Sequence, residues 1–212
     1  MNRHRSLAIA ALLALASAAP LTAQVLDWQN QWYWGAKGGL LSYSLPSGRS
    51  NQVQVGGEWL ITARRTALYV AYSSTLKKDG DTFTSSTGAT IPAVFDGFQR
   101  IQLAVLVFPW NGNVQPYAGG GLVIESLSNA VVNSATPTAV QSQFISDHSS
   151  GGFAMAMAGL QIRVARLAVF GQLQFSPQGR DFLLPNSSIS FEAGVRYAFL
   201  GSRETGEIAG QK

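Results

Sequence analysis

From Trp32 onward, apolar and polar residues alternate with a period of two, as in a strand with one apolar and one polar face. Eight segments show it: Trp32–Tyr43, Gln52–Thr62, Ala67–Leu76, Phe95–Phe108, Val114–Leu127, Phe153–Val164, Ala168–Phe175 and Ser188–Phe199. Most run about 10–12 residues, longer than a usual globular strand and matched to tilted strands that cross a bilayer. The connectors alternate in length. Ala63–Thr66, Pro109–Asn113 and Ala165–Leu167 are short, whereas Ser44–Asn51, Lys77–Val94, Ser128–Gly152 and Ser176–Ser187 are longer. Long loops gathered at one end of an even-stranded meander fit an outer-membrane barrel with short periplasmic turns. The long connectors are rich in Ser, Thr, Asn, Gly and Pro, and are expected to need no packed core.

The two faces of each strand differ in the sense a membrane demands. On the last strand Ile189, Phe191, Ala193, Val195, Tyr197 and Phe199 share one face, opposite Ser188, Ser190, Glu192, Gly194 and Arg196. On the fourth, Ile101, Leu103, Val105 and Val107 oppose Arg100 and Gln102. Lys37, Glu58, Arg100, Glu125, Arg163, Glu192 and Arg196 all fall on the more polar face. A soluble barrel would invert this pattern, with the apolar rows inside. The expected fold class is therefore all-β: an eight-stranded antiparallel up-and-down transmembrane β-barrel. Trp34, Trp59, Tyr197 and Phe199 form an expected aromatic girdle at the turn end. Tyr72, Phe175 and Phe191 form a sparser one at the other.

Ahead of the barrel, Arg3, His4 and Arg5 precede an apolar run from Leu7 to Ala19, then Pro20 and small residues. This is the layout of a cleaved signal peptide. The run is too short to cross a bilayer as a helix. The expected division is a leader at 1–23, cut after Ala23 or Ala18, a barrel at 24–201 and a short polar tail at 202–212. The chain holds 15 Lys+Arg against 11 Asp+Glu, but two of those arginines lie in the leader. Without them no basic patch remains beyond Arg64-Arg65 and Lys77-Lys78, so no nucleic-acid partner is expected. The chain has no cysteine, which excludes disulfides, thiolate metal sites and a Cys nucleophile.

The last strand, Glu192-Ala193-Gly194-Val195-Arg196-Tyr197-Ala198-Phe199, resembles the C-terminal signal read by the outer-membrane barrel assembly machinery, with Gly194, Tyr197 and Phe199 at the marked positions. Val114-Gln115-Pro116-Tyr117-Ala118-Gly119-Gly120-Gly121 resembles the Pro-Tyr-x-Gly-x-Gly strand of small outer-membrane barrels. Together with the strand count, the chain after the leader resembles the OmpA/OmpX-like eight-stranded family. That resemblance implies an integral outer-membrane protein with periplasmic termini. Its implied partners are outer-membrane lipids including lipopolysaccharide, the assembly machinery, and a surface ligand of the long loops. It implies a structural or surface-interaction role without a cofactor and without enzymatic activity. Leu200–Lys212 follow the final strand, where the family usually ends, and are too short for a periplasmic domain.

Three constellations could carry chemistry. His148-Ser149-Ser150 resembles part of the His-x-Ser motif of the lipid A deacylase barrels, with His148 as base and Ser150 as nucleophile, but Gly151 stands where that family has Asn. Asp79 and Asp81 flank Gly80 without the further oxygens of a calcium loop, and read as a polar loop tip. The lumen charges Lys37, Glu58, Arg100, Glu192 and Arg196 form an expected ion network. Lys37 and Glu58 are its expected cross-strand pair, from their similar height on adjacent strands. Such a network either fills the lumen structurally or gates small ions.

Overall fold

The computed structural model describes residues 30–200 except 86, 87, 111 and 180. The expected leader with its cleavage positions, and the tail at 202–212, lie outside the described residues. Among the described residues there are eleven strands and one helix: β1 Trp32–Leu45, β2 Gly48–Thr62, β3 Thr66–Thr75, β4 Asp79–Thr84, β5 Thr90–Phe95, β6 Gly97–Val107, β7 Val114–Ser128, β8 Val131–Val132, α1 Ala139–Asp147, β9 Ser150–Val164, β10 Leu167–Gln178 and β11 Asn186–Leu200. Eight of the strands close a barrel in the order β1-β11-β10-β9-β7-β6-β3-β2, and β4, β5 and β8 make a small separate sheet. Every pairing is antiparallel, and β1 pairs with both β2 and β11. Closure leaves the barrel no free edge, so each strand's backbone polar groups are satisfied within the wall.

Alternation fixes which face looks inward. Along β6, Arg100, Gln102, Ala104 and Leu106 are buried while Ile101, Leu103, Val105 and Val107 are exposed. The same holds on β11, where Ser190, Glu192 and Arg196 are buried and Phe191, Val195 and Tyr197 exposed. Apolar rows outside a polar lumen are the solution for a wall solvated by lipid. At the short-turn end Trp34 stacks on Trp59, with ring centroids 5.4 Å apart, and Trp32 meets Trp59 edge-on at 5.3 Å. Phe199 lies 6.4 Å from Trp34. Tyr72, Phe175 and Phe191 are exposed on the outward wall.

Three details differ from the sequence-based expectations. Ser44–Asn51 is not a loop: β1 and β2 continue to a two-residue turn, Leu45 pairing with Gly48. Arg49, Ser50 and Asn51 make both faces of the start of β2 polar, so alternation fades there where pairing does not. Cross-strand bonds such as Arg49 Nε to Ser42 Oγ at 3.0 Å help hold the extension. Phe95 belongs to β5 rather than to the barrel strand, which begins at Gly97. Finally, the long connectors do have a packed core. Phe83, Ile91, Phe95, Ile145, Phe182, Leu183 and Leu184 join Leu41, Tyr43, Phe98 and Leu127 in one buried cluster over the long-loop end of the lumen. Their apolar residues are few and scattered in sequence, and only the β4–β5 hairpin and α1 gather them. The helix begins at a capping box, Gln141 N–H donating to the Thr138 hydroxyl and the Gln141 side chain accepting from Thr138 N–H.

Candidate functional site

Buried side chains are stacked in layers along the lumen. At the short-turn end Tyr33, Leu60, Leu106, Phe108 and Ala198 form a buried apolar layer, with Met155 and Met157 packed above. Next comes Arg196 on β11, which pairs with Glu58 on β2. Gly35 on β1, the residue between these strands at that level, leaves room for both side chains. Arg196 also donates to Gln161 Oε1 at 2.7 Å, and its guanidinium lies 3.9 Å from the Phe170 ring centroid.

The middle layer centres on Lys37 and Glu192. Lys37 Nζ donates to Glu192 Oε2, Tyr69 Oη and Gln102 Oε1, each at 2.9 Å. Glu192 also accepts from Gln54 at 2.9 Å, Gln172 at 2.7 Å and Gln174 at 2.8 Å. The upper layer pairs Arg100 Nε with Glu125 Oε1 at 3.1 Å, and Ser188 and Gln178 donate to the same carboxylate. All six side chains of these ion pairs are at most 1% exposed. Gln172 links the lower and middle layers, accepting from Tyr117 while donating to Glu192. Gln174 links middle to upper, donating to Glu192 and accepting from Arg100.

Lys37, Glu58, Arg100, Glu192 and Arg196 thus all lie in the lumen. The expected Lys37–Glu58 pair is not formed. The residue of β2 opposite Lys37 is Gly56, and Glu58 faces Gly35, two positions nearer the short-turn end. Height estimated from strand ends missed this offset, and each charge found a partner on β11 instead. Of the glutamines that bind the layers together, Gln54 and Gln102 are expected on the polar face, whereas Gln161, Gln172 and Gln174 escaped notice because an uncharged polar residue on an inward face looks like filler. Their signal was present: Gln172 and Gln174 flank the outward Leu173 in strict alternation.

The assembly-signal residues divide by face. Tyr197 and Phe199 point outward. Gly194 sits where a Cβ would collide with the Ala36 carbonyl oxygen and lie 2.7 Å from Phe170 Cζ, so the close approach of β11 to β1 requires glycine.

At the long-loop end, His148 caps α1. Its Nδ1 lies 2.8 Å from the Phe144 carbonyl oxygen, and no hydrogen bond joins it to Ser150 among the described residues. The two open on different cavities: His148 lines one with Phe144 and Phe83, Ser150 the other with Gly151 and Phe153. Asp79 accepts from Tyr43 at 2.7 Å, from Gln52 at 3.2 Å and from Ser50, and Asp81 accepts from Ser47 N–H and Oγ. Both carboxylates thus fasten the β4–β5 hairpin to the β1–β2 turn. Burial pushes the Asp79 carboxyl up, but hydrogen bonds from Ser50, Tyr43, Gly80 N–H and Gln52 outweigh it and hold it below the usual range. No cluster of three or more metal-ligating side chains occurs among the described residues.

A closed eight-stranded wall, apolar outside and polar inside, defines the class as a small transmembrane β-barrel. Solved structures of that architecture superpose on it. Neisserial surface protein A matches with a TM-score of 0.56 at 14% identity, over 79% of this chain and 97% of that one. Ail, the attachment invasion locus protein of Yersinia pestis, solved in complex with the heparin analogue sucrose octasulfate, matches at 0.52 and 13% identity, over 81% and 99%. Outer membrane protein OprG from Pseudomonas aeruginosa matches at 0.53 and 10%, over 83% and 100%. At these identities the likeness is one of fold: the chain has the architecture of the small OmpA/OmpX-like barrels. No protein-family model matches it, and no curated protein sequence does.

Proposed function

We propose that this chain is an integral outer-membrane barrel that works through its capped long-loop end at the cell surface, without enzymatic activity and with a lumen sealed by its own side chains. Its termini face the periplasm, lipopolysaccharide and phospholipid surround its wall, and Gly194, Tyr197 and Phe199 present the final strand to the assembly machinery. The fold shared with outer-membrane barrels supports the location. The stacked lumen carries the sealed reading: three ion pairs in separate layers, joined by glutamines, lie between apolar layers at both ends. Eight strands leave an interior only wide enough for such side chains.

Along the long connectors Asp79, Asp81, Asp96, Asp147 and Asp181 stand against Arg49, Lys77, Lys78 and Arg180, a nearly even balance. The test of the sealed lumen is planar-bilayer recording of the purified protein. The expected trace shows no stepwise conductance, and reproducible single-channel steps would overturn the reading in favour of an ion passage.

A further inference from the structure

Four connections meet over one cavity of about 430 Å³ at the long-loop end. Pro46 comes from the β1–β2 turn, Phe83 from the β4–β5 hairpin, Phe144 and His148 from the end of α1, and Asp181 and Phe182 from the β10–β11 loop. The volume falls within the roughly 300–1,000 Å³ of small-molecule sites. Leu183 N–H donates to the His148 carbonyl at 3.0 Å, which ties the β10–β11 loop to the helix end. Phe83 and Phe182 are anchored in the buried cap. The Phe144 ring lies against the His148 ring, centroids 4.4 Å apart.

The cavity's polar groups share a chemical character. The Phe144 carbonyl can only accept, so His148 Nδ1 carries the hydrogen, and the ring, when uncharged, offers Nε2 as an acceptor. Asp181, when ionised, is acceptor-only, and no ion pair engages it among the described residues. Thr84 and Ser85 add hydroxyls that serve in either sense. Phe83, Phe144 and Phe182 supply the apolar part of the lining. We propose that this cavity binds a small organic cation, an ammonium or guanidinium that donates to Asp181 and His148 Nε2, on an aryl or alkyl body lying against Phe83, Phe144 and Phe182. An anion would meet the Asp181 charge, and a purely apolar ligand would gain nothing from either acceptor.

This inference deepens the surface reading and rests on it only for the side from which ligand arrives, since binding needs only the folded barrel. The test is titration calorimetry on the protein purified from membranes in detergent, with 2-phenylethylammonium, 2-phenylethanol and 3-phenylpropionate as probes and empty micelles as the blank. The ammonium should bind saturably and about fivefold more tightly than the alcohol, the upper end for an exposed ion pair. The propionate should bind most weakly. Asp181→Asn should abolish the preference for the ammonium while leaving the alcohol's affinity within about twofold, because Asp181 is exposed and outside the packed cap. His148→Leu should reduce the same preference, and Phe144→Ala should weaken both ligands. Faster gel migration without boiling establishes that each variant is folded. Absence of saturable ammonium binding, equal binding of the propionate, or a preference that survives Asp181→Asn would overturn the proposal. None of these results bears on sidedness, which cysteine labelling reads separately.

Discussion

Removing the Lys37 charge alone should destabilise the barrel less than removing the Glu192 charge alone, and removing both should cost less than the sum. Lys37→Met leaves Glu192 buried but still holding three amide donors, from Gln54, Gln172 and Gln174. Breaking one side of a buried pair costs about 3–5 kcal/mol, and these donors place the loss near about 3. Glu192→Met leaves a buried ammonium and also strips those three amides of their shared acceptor. Each unsatisfied buried donor costs about 1–3 kcal/mol, so the loss should exceed that of Lys37→Met by at least about 1. The double variant buries no unpaired charge, which gives an expected coupling energy of about 2–3 kcal/mol. Lys37 with Glu58 should couple by less than about 1 kcal/mol, because Glu58 is held by Arg196. Reversible urea unfolding in lipid vesicles, followed by tryptophan fluorescence, measures both cycles. A Lys37–Glu192 coupling below about 0.5 kcal/mol, or one smaller than Lys37–Glu58, would refute the layer assignment.

Leu103→Arg should cost about 2–4 kcal/mol in the same assay, since Leu103 faces lipid, whereas Leu103→Phe should be nearly neutral; equal losses would mean the outward row is wrong. Gly194→Ala should lower the yield of folded barrel, read as the fraction that migrates fast unboiled, because its Cβ would strike the Ala36 carbonyl. Wild-type yield would show that β11 need not approach β1 so closely. The Asp79 carboxyl is depressed in the folded hairpin, so its contribution is complete above its unfolded value of 3.8 and fades as pH falls through the lower folded value. Hydrogen exchange at β4–β5 should accordingly stay flat from pH 7 to about 5 once corrected for intrinsic rates, and the acid-induced rise should vanish in Asp79→Asn. A rise that begins near neutral pH would place the latch on another group.

The eight barrel strands, three of the four long connections and the inward placement of all seven lumen charges were legible in the sequence, because a wall between lipid and a polar lumen imposes alternation along each strand. What alternation does not encode is relative height. Lys37 and Glu58 share a face on neighbouring strands, yet the hairpin register sets them two residues apart, and the third strand, β11, supplies both partners. The register is fixed by the Pro46-Ser47 turn, and that turn was hidden because polar residues occupy both faces of the start of β2. The cap was illegible for a different reason. Phe83 and Ile145 stand in polar segments, the Phe182-Leu183-Leu184 run is too short to show a period, and only tertiary packing makes them one core. The cation cavity depends on that packing and on the tautomer of a single histidine, neither of which leaves a periodic trace.

The absence of native cysteine allows the membrane orientation to be read one position at a time. Val140→Cys places a thiol on α1, at a residue 78% exposed, and Arg64→Cys places one in the exposed β2–β3 turn. Both are treated with a membrane-impermeant maleimide, first on intact cells and then after the outer membrane is breached. The surface-barrel account predicts that Cys at 140 is labelled on intact cells, and that Cys at 64 is labelled only after the breach. Labelling at 64 with protection at 140 in intact cells would contradict the orientation, and protection of both until the cytoplasm is opened would contradict the outer-membrane location itself.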